Sequence, residues 1–196
     1  MLMDAEKRNP GPWIQHSISV AKATEAIAAH SPTLDPEIAF IFGIIHDIGR
    51  REGLTDMRHI LDGYNFLAKQ GFEDAARICL THSFPIKDIH AVEGQDEGQW
   101  DCSNLEFEFI QDYLARIEYN EYDKLIQLCD ALALPAGYCL MEKRFVDVAF
   151  RHGTNEYTLL RWKAYLQLKN DFEKGLGTSL YNFLPAVVEN TFGVSL

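Results

Sequence analysis

At 196 residues, 47% hydrophobic and 24% charged, the chain has enough apolar side chains for the core of one compact domain and is too short for two full ones. A net charge of −11, with the 18 basic residues scattered rather than clustered, argues against nucleic-acid binding, because phosphate backbones are held mainly by grouped Lys and Arg. No apolar run approaches the ~20 residues of a membrane helix and the first residues lack the apolar stretch of a signal peptide, so the expectation is a cytoplasmic protein with no membrane contact.

The spacing of apolar residues is helical almost throughout, without strand alternation or hairpin turns, and predicts an all-α single-domain bundle of about seven or eight helices over residues 1–196. Asn9-Pro-Gly-Pro punctuates the start of the first predicted helix. There Trp13, His16, Val20, Ala23 and Ile27 recur at steps of three and four, which places His16 on the buried face. The second helix begins at Asp35-Pro36-Glu37, a cap followed by proline at the first helical position, and runs to His46-Asp47, with Gly49 as its terminator. Residues 39 to 45 carry no charge on any face, so this helix is predicted to be central and enclosed, delivering His46 and Asp47 from inside the protein.

A third helix is predicted from about Asp56 to Gln70, with Met57, Ile60, Leu61, Tyr64 and Leu67 as its stripe and Gly71 as its stop; His59 lies off that stripe. A fourth runs from about Glu73 to Thr81-His82-Ser83. The glycine- and acid-rich segment Lys87 to Asn104 reads as an inserted loop, either a lid or a solvated surface excursion. Helices resume at about Leu105 to Ile117 and from about Glu121, where the run from Leu125 to Leu134 carries one charge, Asp130. Two or three further helices, about 141–190, close the bundle without a catalytic motif.

The four cysteines lack any Cys-x-x-Cys spacing: Cys79, Cys129 and Cys139 lie in apolar helical contexts and Cys102 in a polar loop, as expected of reduced structural thiols. The carboxylates are harder to explain. An ionised carboxylate withdrawn from water costs several kcal/mol unless something opposes its charge, and Asp47 and Asp130 both sit in strongly apolar surroundings. One metal ion would satisfy both. Imidazole and carboxylate donors together suit iron, manganese, cobalt, nickel or zinc, with magnesium also admissible, and do not choose among them.

The ordered set His16, His46-Asp47 within His-Asp-Ile-Gly, His59, His82 and Asp130 resembles the HD-domain superfamily of metal-dependent phosphohydrolases over roughly residues 13 to 135. The resemblance implies that His16, His46, Asp47 and Asp130 bind one divalent metal. In two-metal members a second ion is held by Asp47, His59 and His82; in single-metal members His59 and His82 face the substrate phosphate. Ser83 stands where some two-metal members carry a further histidine. Arg50, directly after His-Asp-Ile-Gly, is where the family often places Lys or Arg, and its guanidinium could hold phosphate; Arg51 is a weaker candidate.

The implied reaction is hydrolysis of a nucleotide or other small phosphorylated metabolite by metal-activated water, with Asp47, His59 and His82 as the catalytic group. The competing functions are a di-iron oxygenase and a noncatalytic metal-stabilised binding domain. A homodimer is compatible with the sequence. Each candidate also has a bland reading. Asp47 could simply pair with Arg50 or Arg51, His59 could be an exposed helix histidine, and Arg50 could be an ordinary helix-terminal charge. His30, His90 and His152 read as surface residues, while Tyr64, Phe66, Trp100, Tyr138 and Trp162 read as core packing rather than a base-stacking set.

Overall fold

A short helix, α1 (Leu2–Arg8), precedes the one that the sequence presents as first, and Asn9-Pro-Gly-Pro separates it from α2 (Trp13–Ala28). The computed structural model describes residues 1–54, 56–92 and 101–195. Of α1 only Ala5 is fully buried, too little apolar surface to announce itself by periodicity. Tertiary contacts hold it instead: Arg8 pairs with Glu52 at 2.8 Å, and the Asn9 amide donates to the Arg50 carbonyl.

Helix α3 (Pro36–Ile45) starts as the sequence predicts, with the Asp35 carboxylate accepting from the Glu37 and Ile38 amides. It is not the enclosed central helix. Ile38 and Ile41 are about half exposed, whereas Ala39 and Gly43 are buried against α2 and Ile45 is buried in the cluster with Ala5 and Leu67. Absence of charge marks only what a helix tolerates; small residues decide which side packs. A Cβ at Gly43 would lie 2.6 Å from the Ala21 backbone, and the Thr24 hydroxyl reaches the Ala39 carbonyl at 2.9 Å.

The helix also ends earlier than expected, at Ile45, and a 3-10 turn over Ile48–Glu52 follows. After a second short 3-10 turn come α4 (His59–Ala68) and α5 (Glu73–Thr81), packed on each other, with Gly71 at φ +80 between them as the predicted stop. Next are α6 (Asn104–Arg116) and α7 (Glu121–Asp130), each opened by a capping box, at Ser103/Glu106 and Asn120/Asp123.

Helix α7 stops at Asp130 rather than at Leu134. Ala133–Leu134 (β1) instead pairs antiparallel with Gly137–Tyr138 (β2), a two-residue ladder around Pro135 that helical periodicity could not foresee. Helices α8 (Met141–His152), α9 (Thr158–Leu176) and α10 (Val187–Phe192) complete the fold. The described residues thus contain ten α-helices, more than the seven or eight predicted, and the all-α class holds.

The buried apolar residues form three clusters. The first joins α2 to α7 and the C-terminal helices, the second joins α4, α5 and α6, and the third joins α1, the end of α3, α4 and α5. Each cluster ends beside chemistry-bearing residues. Cys129 and Ala131 flank Asp130 in the first, Ile60 follows His59 in the second, and Ile45 and Ile48 bracket His46-Asp47 in the third.

Candidate metal centre

The six residues singled out by the sequence converge from five places: His16 on α2, His46 and Asp47 just past α3, His59 at the first turn of α4, His82 just past α5, and Asp130 at the end of α7. His46, Asp47, His59 and His82 are at most 3% exposed, His16 is 9% exposed, and Asp130 is partly open. The reading of His59 as an exposed helix histidine is therefore wrong. Off the apolar stripe of α4 lies a second buried face, the one turned toward the site.

Three histidines use one local device. His46 Nδ1 donates to the Gly43 carbonyl at 2.8 Å, His82 Nδ1 to the Cys79 carbonyl at 2.9 Å, and His59 Nδ1 to the Asp56 carbonyl, in every case three residues upstream. With the proton on Nδ1, the Nε2 lone pair points the other way, as metal-binding imidazoles require. Those lone pairs face carboxylate oxygens. His59 Nε2 lies 3.1 Å and His82 Nε2 3.6 Å from Asp47 Oδ1; His46 Nε2 lies 3.9 Å from Asp130 Oδ1, and His16 Nε2 lies 2.8 Å from that same oxygen.

Apart from His16 Nε2, which is hydrogen-bonded to Asp130, this is a cluster of acceptors aimed at one another. His46 Nε2 and Asp47 Oδ1 are buried without a hydrogen-bond partner, a costly arrangement that a cation would stabilise. Among the described residues, three overlapping triads could hold an ion: His16/His46/Asp47, His46/His82/Asp130 and Asp47/His59/His82, each with its donor atoms within 4.8 Å of one another. The residues present thus fit a divalent cation of the kind that nitrogen and oxygen donors suit, and the third triad offers room for a second.

Burial shapes the charges. It pushes the His46 imidazole down, and His82 down to about 3, so both rings are neutral at ordinary pH and able to act as ligands. Burial opposes ionisation of Asp47, but the Arg50 guanidinium, then His46 and His59, outweigh it and hold the carboxyl well below the usual range. Asp130 is likewise held low against burial, chiefly by its contact with His16. The Cys79 and Cys129 thiols are pushed up by burial, which fits structural thiols rather than thiolate ligands.

Arg50 is the partner of Asp47, as the plainer reading of that pair allows, and it also faces the cavity. Its Nε donates to Asp47 Oδ2 at 2.7 Å, and its partly exposed side chain also lines the cavity above the cluster. Arg51 does not reach the site; its guanidinium stacks 4.0 Å over the Phe66 ring. His30, His90 and His152 are exposed as expected, though His152 stands at the cavity wall. Tyr64, Tyr138 and Trp162 pack against Phe109 and Tyr113, the Ser19 carbonyl, and Phe145 respectively. Trp100 and the middle of the predicted insert, residues 93–100, lie outside the described residues.

Two features escaped the sequence reading. Asp123, fully buried, accepts from Arg77 Nε and from the Thr81 hydroxyl at 2.8 Å, and so fastens the end of α5, which carries His82, to α7, which carries Asp130. Its signal was the Asn120-to-Asp123 capping box. The other is the far wall of the cavity, about 740 Å³ in volume, to which α8 and α9 contribute Arg144, Arg151, Arg161, Phe145 and Tyr165. Arg144, Asp147, Val148 and Arg151 recur at helical spacing, but no motif connects them with the histidines.

An all-helical fold with buried clustered imidazoles and carboxylates defines a protein built to bind a divalent metal. A family model, HD domain, matches residues 13–134, from the start of α2 to the end of β1, well over half of the chain. The chain belongs to this family, within the HD superfamily of metal-dependent phosphohydrolases. No curated protein and no solved structure matches it. Among the described residues no helix is long and apolar enough to cross a membrane.

Proposed function

We propose that the chain is a metal-dependent hydrolase of phosphate esters or phosphoanhydrides, acting in the cytoplasm on a nucleotide or another small phosphorylated metabolite. The observation that carries this reading is the pair of buried, unpartnered acceptors, His46 Nε2 and Asp47 Oδ1, the second of them at a cavity that Arg50 also lines. His16, His46, Asp47 and Asp130 would hold the first ion, the first three with donor atoms within 4.8 Å of one another, and Asp47, His59 and His82 a second.

A divalent ion in this place lowers the pKa of bound water from about 16 towards 7 and polarises phosphoryl oxygens. The chain's own groups do the rest. Arg50, fixed by Asp47 Oδ2, presents its remaining N–H donors to a phosphate at the cavity floor. With a single ion bound, His59 and His82 are free for another role: His59 Nε2 lies 3.4 Å from both Arg50 Nη2 and His82 Nε2, so the two imidazoles would stand next to that phosphate to bind it or to pass a proton. Apolar side chains packed behind the cluster keep bulk water from screening these charges.

A second reading, a di-iron oxygenase, is favoured by one observation: the Asp47/His59/His82 triad shares Asp47 with the first group. The experiment separates the two. Purified protein given manganese, cobalt, nickel or iron should release phosphate from a panel of nucleotides and phosphate esters, and Asp47→Ala should abolish turnover. Metal bound without hydrolysis of any panel member would contradict the hydrolase, and two irons per chain with substrate-dependent oxygen uptake would establish the oxygenase.

A further inference from the structure

Asp130 is one of the clustered residues, and two residues before it on the same side of α7 hold the segment that carries another. Asp123, Gln127 and Asp130 follow one another at steps of four and three, which aligns them along one face of the helix, and Asp123 and Gln127 are fully buried. Asp123 accepts from the Thr81 hydroxyl at 2.8 Å. The Gln127 amide nitrogen donates to the Thr81 carbonyl at 3.0 Å and to the Phe84 carbonyl at 3.1 Å. These two carbonyls bracket His82 and Ser83, so one side chain of α7 spans the turn from which His82 projects.

Helix α5 ends at Thr81, where carbonyls lose their intrahelical donors and the backbone is free to change direction. Neither carbonyl depends on Gln127 for a partner, because Thr81 also accepts from the Phe84 amide at 3.0 Å and Phe84 from the Tyr119 hydroxyl at 2.7 Å. The Gln127 amide oxygen is itself buried with no partner among the described residues, an unfavourable state that an apolar side chain of the same size would avoid. What the amide adds is a fixed distance between α7 and the chain on both sides of His82. The imidazole follows that backbone, because His82 Nδ1 is tied to the Cys79 carbonyl at 2.9 Å.

A fixed place matters for His82 in particular. It belongs to two of the groups able to hold an ion, His46/His82/Asp130 and Asp47/His59/His82, and its Nε2 stands 3.6 Å from Asp47 Oδ1 and 3.4 Å from His59 Nε2. We propose that Gln127 is the positioning residue of His82: by setting the His82 turn against α7, it holds the imidazole where the Asp47/His59/His82 group takes the second ion. This inference rests on the metal reading for the ion, but the link from Gln127 to the His82 turn stands without one.

The test compares wild type, Gln127→Leu and Tyr119→Phe. Leucine removes both donations yet leaves each carbonyl another donor, so the variant should fold, which circular dichroism checks. Tyr119→Phe removes a bond to the Phe84 carbonyl but none to Thr81, and is the control for a simple loss of stability. In manganese titrations read by calorimetry and elemental analysis, Gln127→Leu should bind the first ion within about twofold of wild type and the second about tenfold or more weakly, while Tyr119→Phe binds both as wild type does. Crystal structures of the three proteins should show His82 displaced from Asp47 and His59 in Gln127→Leu alone. Second-ion affinity unchanged in Gln127→Leu, both ions weakened alike, or an equal second-ion loss in Tyr119→Phe would overturn the positioning role. A wild type that binds a single ion also overturns it and leaves the first-ion reading standing, whereas a wild type that binds none overturns both.

Discussion

The backbone of Gly49 lies against the first turn of α4 so closely that a Cβ at position 49 would fall 1.9 Å from the His59 carbonyl oxygen and 2.4 Å from the Gly63 amide nitrogen. The turn that carries Asp47 is thereby docked onto the helix that carries His59, and their side chains meet at 3.1 Å. The glycine of His-Asp-Ile-Gly serves this contact rather than ending a helix.

Gly49→Ala must therefore push backbone from backbone. It should destabilise the protein by at least the ~1–3 kcal/mol of ordinary overpacking and weaken metal binding at the same time. Gly71→Ala provides the contrast. With φ +80 but nothing within 4 Å of its Cβ, it should cost about 1–2 kcal/mol through backbone strain and leave metal affinity unchanged. Urea unfolding and metal titration of both variants check this.

Asp123 predicts a stability defect away from the metal. Its carboxylate accepts from Arg77, Thr81 and the Asn120 amide in a fully buried position. Asp123→Ala leaves Arg77 without its carboxylate, with only the Glu118 carbonyl still accepting from it, and should cost about 3–5 kcal/mol, toward the lower figure because Arg77 is partly exposed. Thermal unfolding measures the loss. Thr81→Val, which removes only the hydroxyl contact, should cost about 1 kcal/mol.

The metal-free protein should be acid-labile. Burial holds His82 at about 3, below the roughly 6.5 of an unfolded histidine, so between those values the unfolded chain binds the additional proton. Stability from this group is complete above about 6.5 and is lost as pH falls towards 3, and Asp47 and Asp130, held low in the folded state, add to the loss at the acid end of that window. Denaturant midpoints across this range should fall steadily with acid, and His82→Gln should flatten the slope. An unchanged slope in the variant would assign the acid effect elsewhere.

Part of the cluster was legible in the sequence because His16, His46-Asp47 and Asp130 fall in apolar helical runs, where a charge or imidazole is expensive and demands a partner; His59, off the stripe of its helix, and His82 were picked out by the resemblance alone. His16 on the stripe of α2 and Asp130 at the end of α7 are plain cases. Other features were not legible for equally physical reasons. The charge-free run 39–45 hid the choice between two faces of α3, which Gly43 and Ala39 decide by close approach. The arginines of α8 and α9 were hidden because a polar helix face looks the same whether it meets solvent or a cavity. Asp123 was hidden because a helix cap looks the same whether exposed or buried.

The central claim is that one cation draws His16, His46, Asp47 and Asp130 together. Its most direct test is a crystal structure of the manganese-soaked protein with elemental analysis of the same preparation. A cation within about 2.0–2.3 Å of donor atoms from all four residues, and absent from Asp47→Ala, is the predicted result. A wild-type preparation that takes up no divalent metal, or holds it at a place where these side chains are not ligands, would contradict the account.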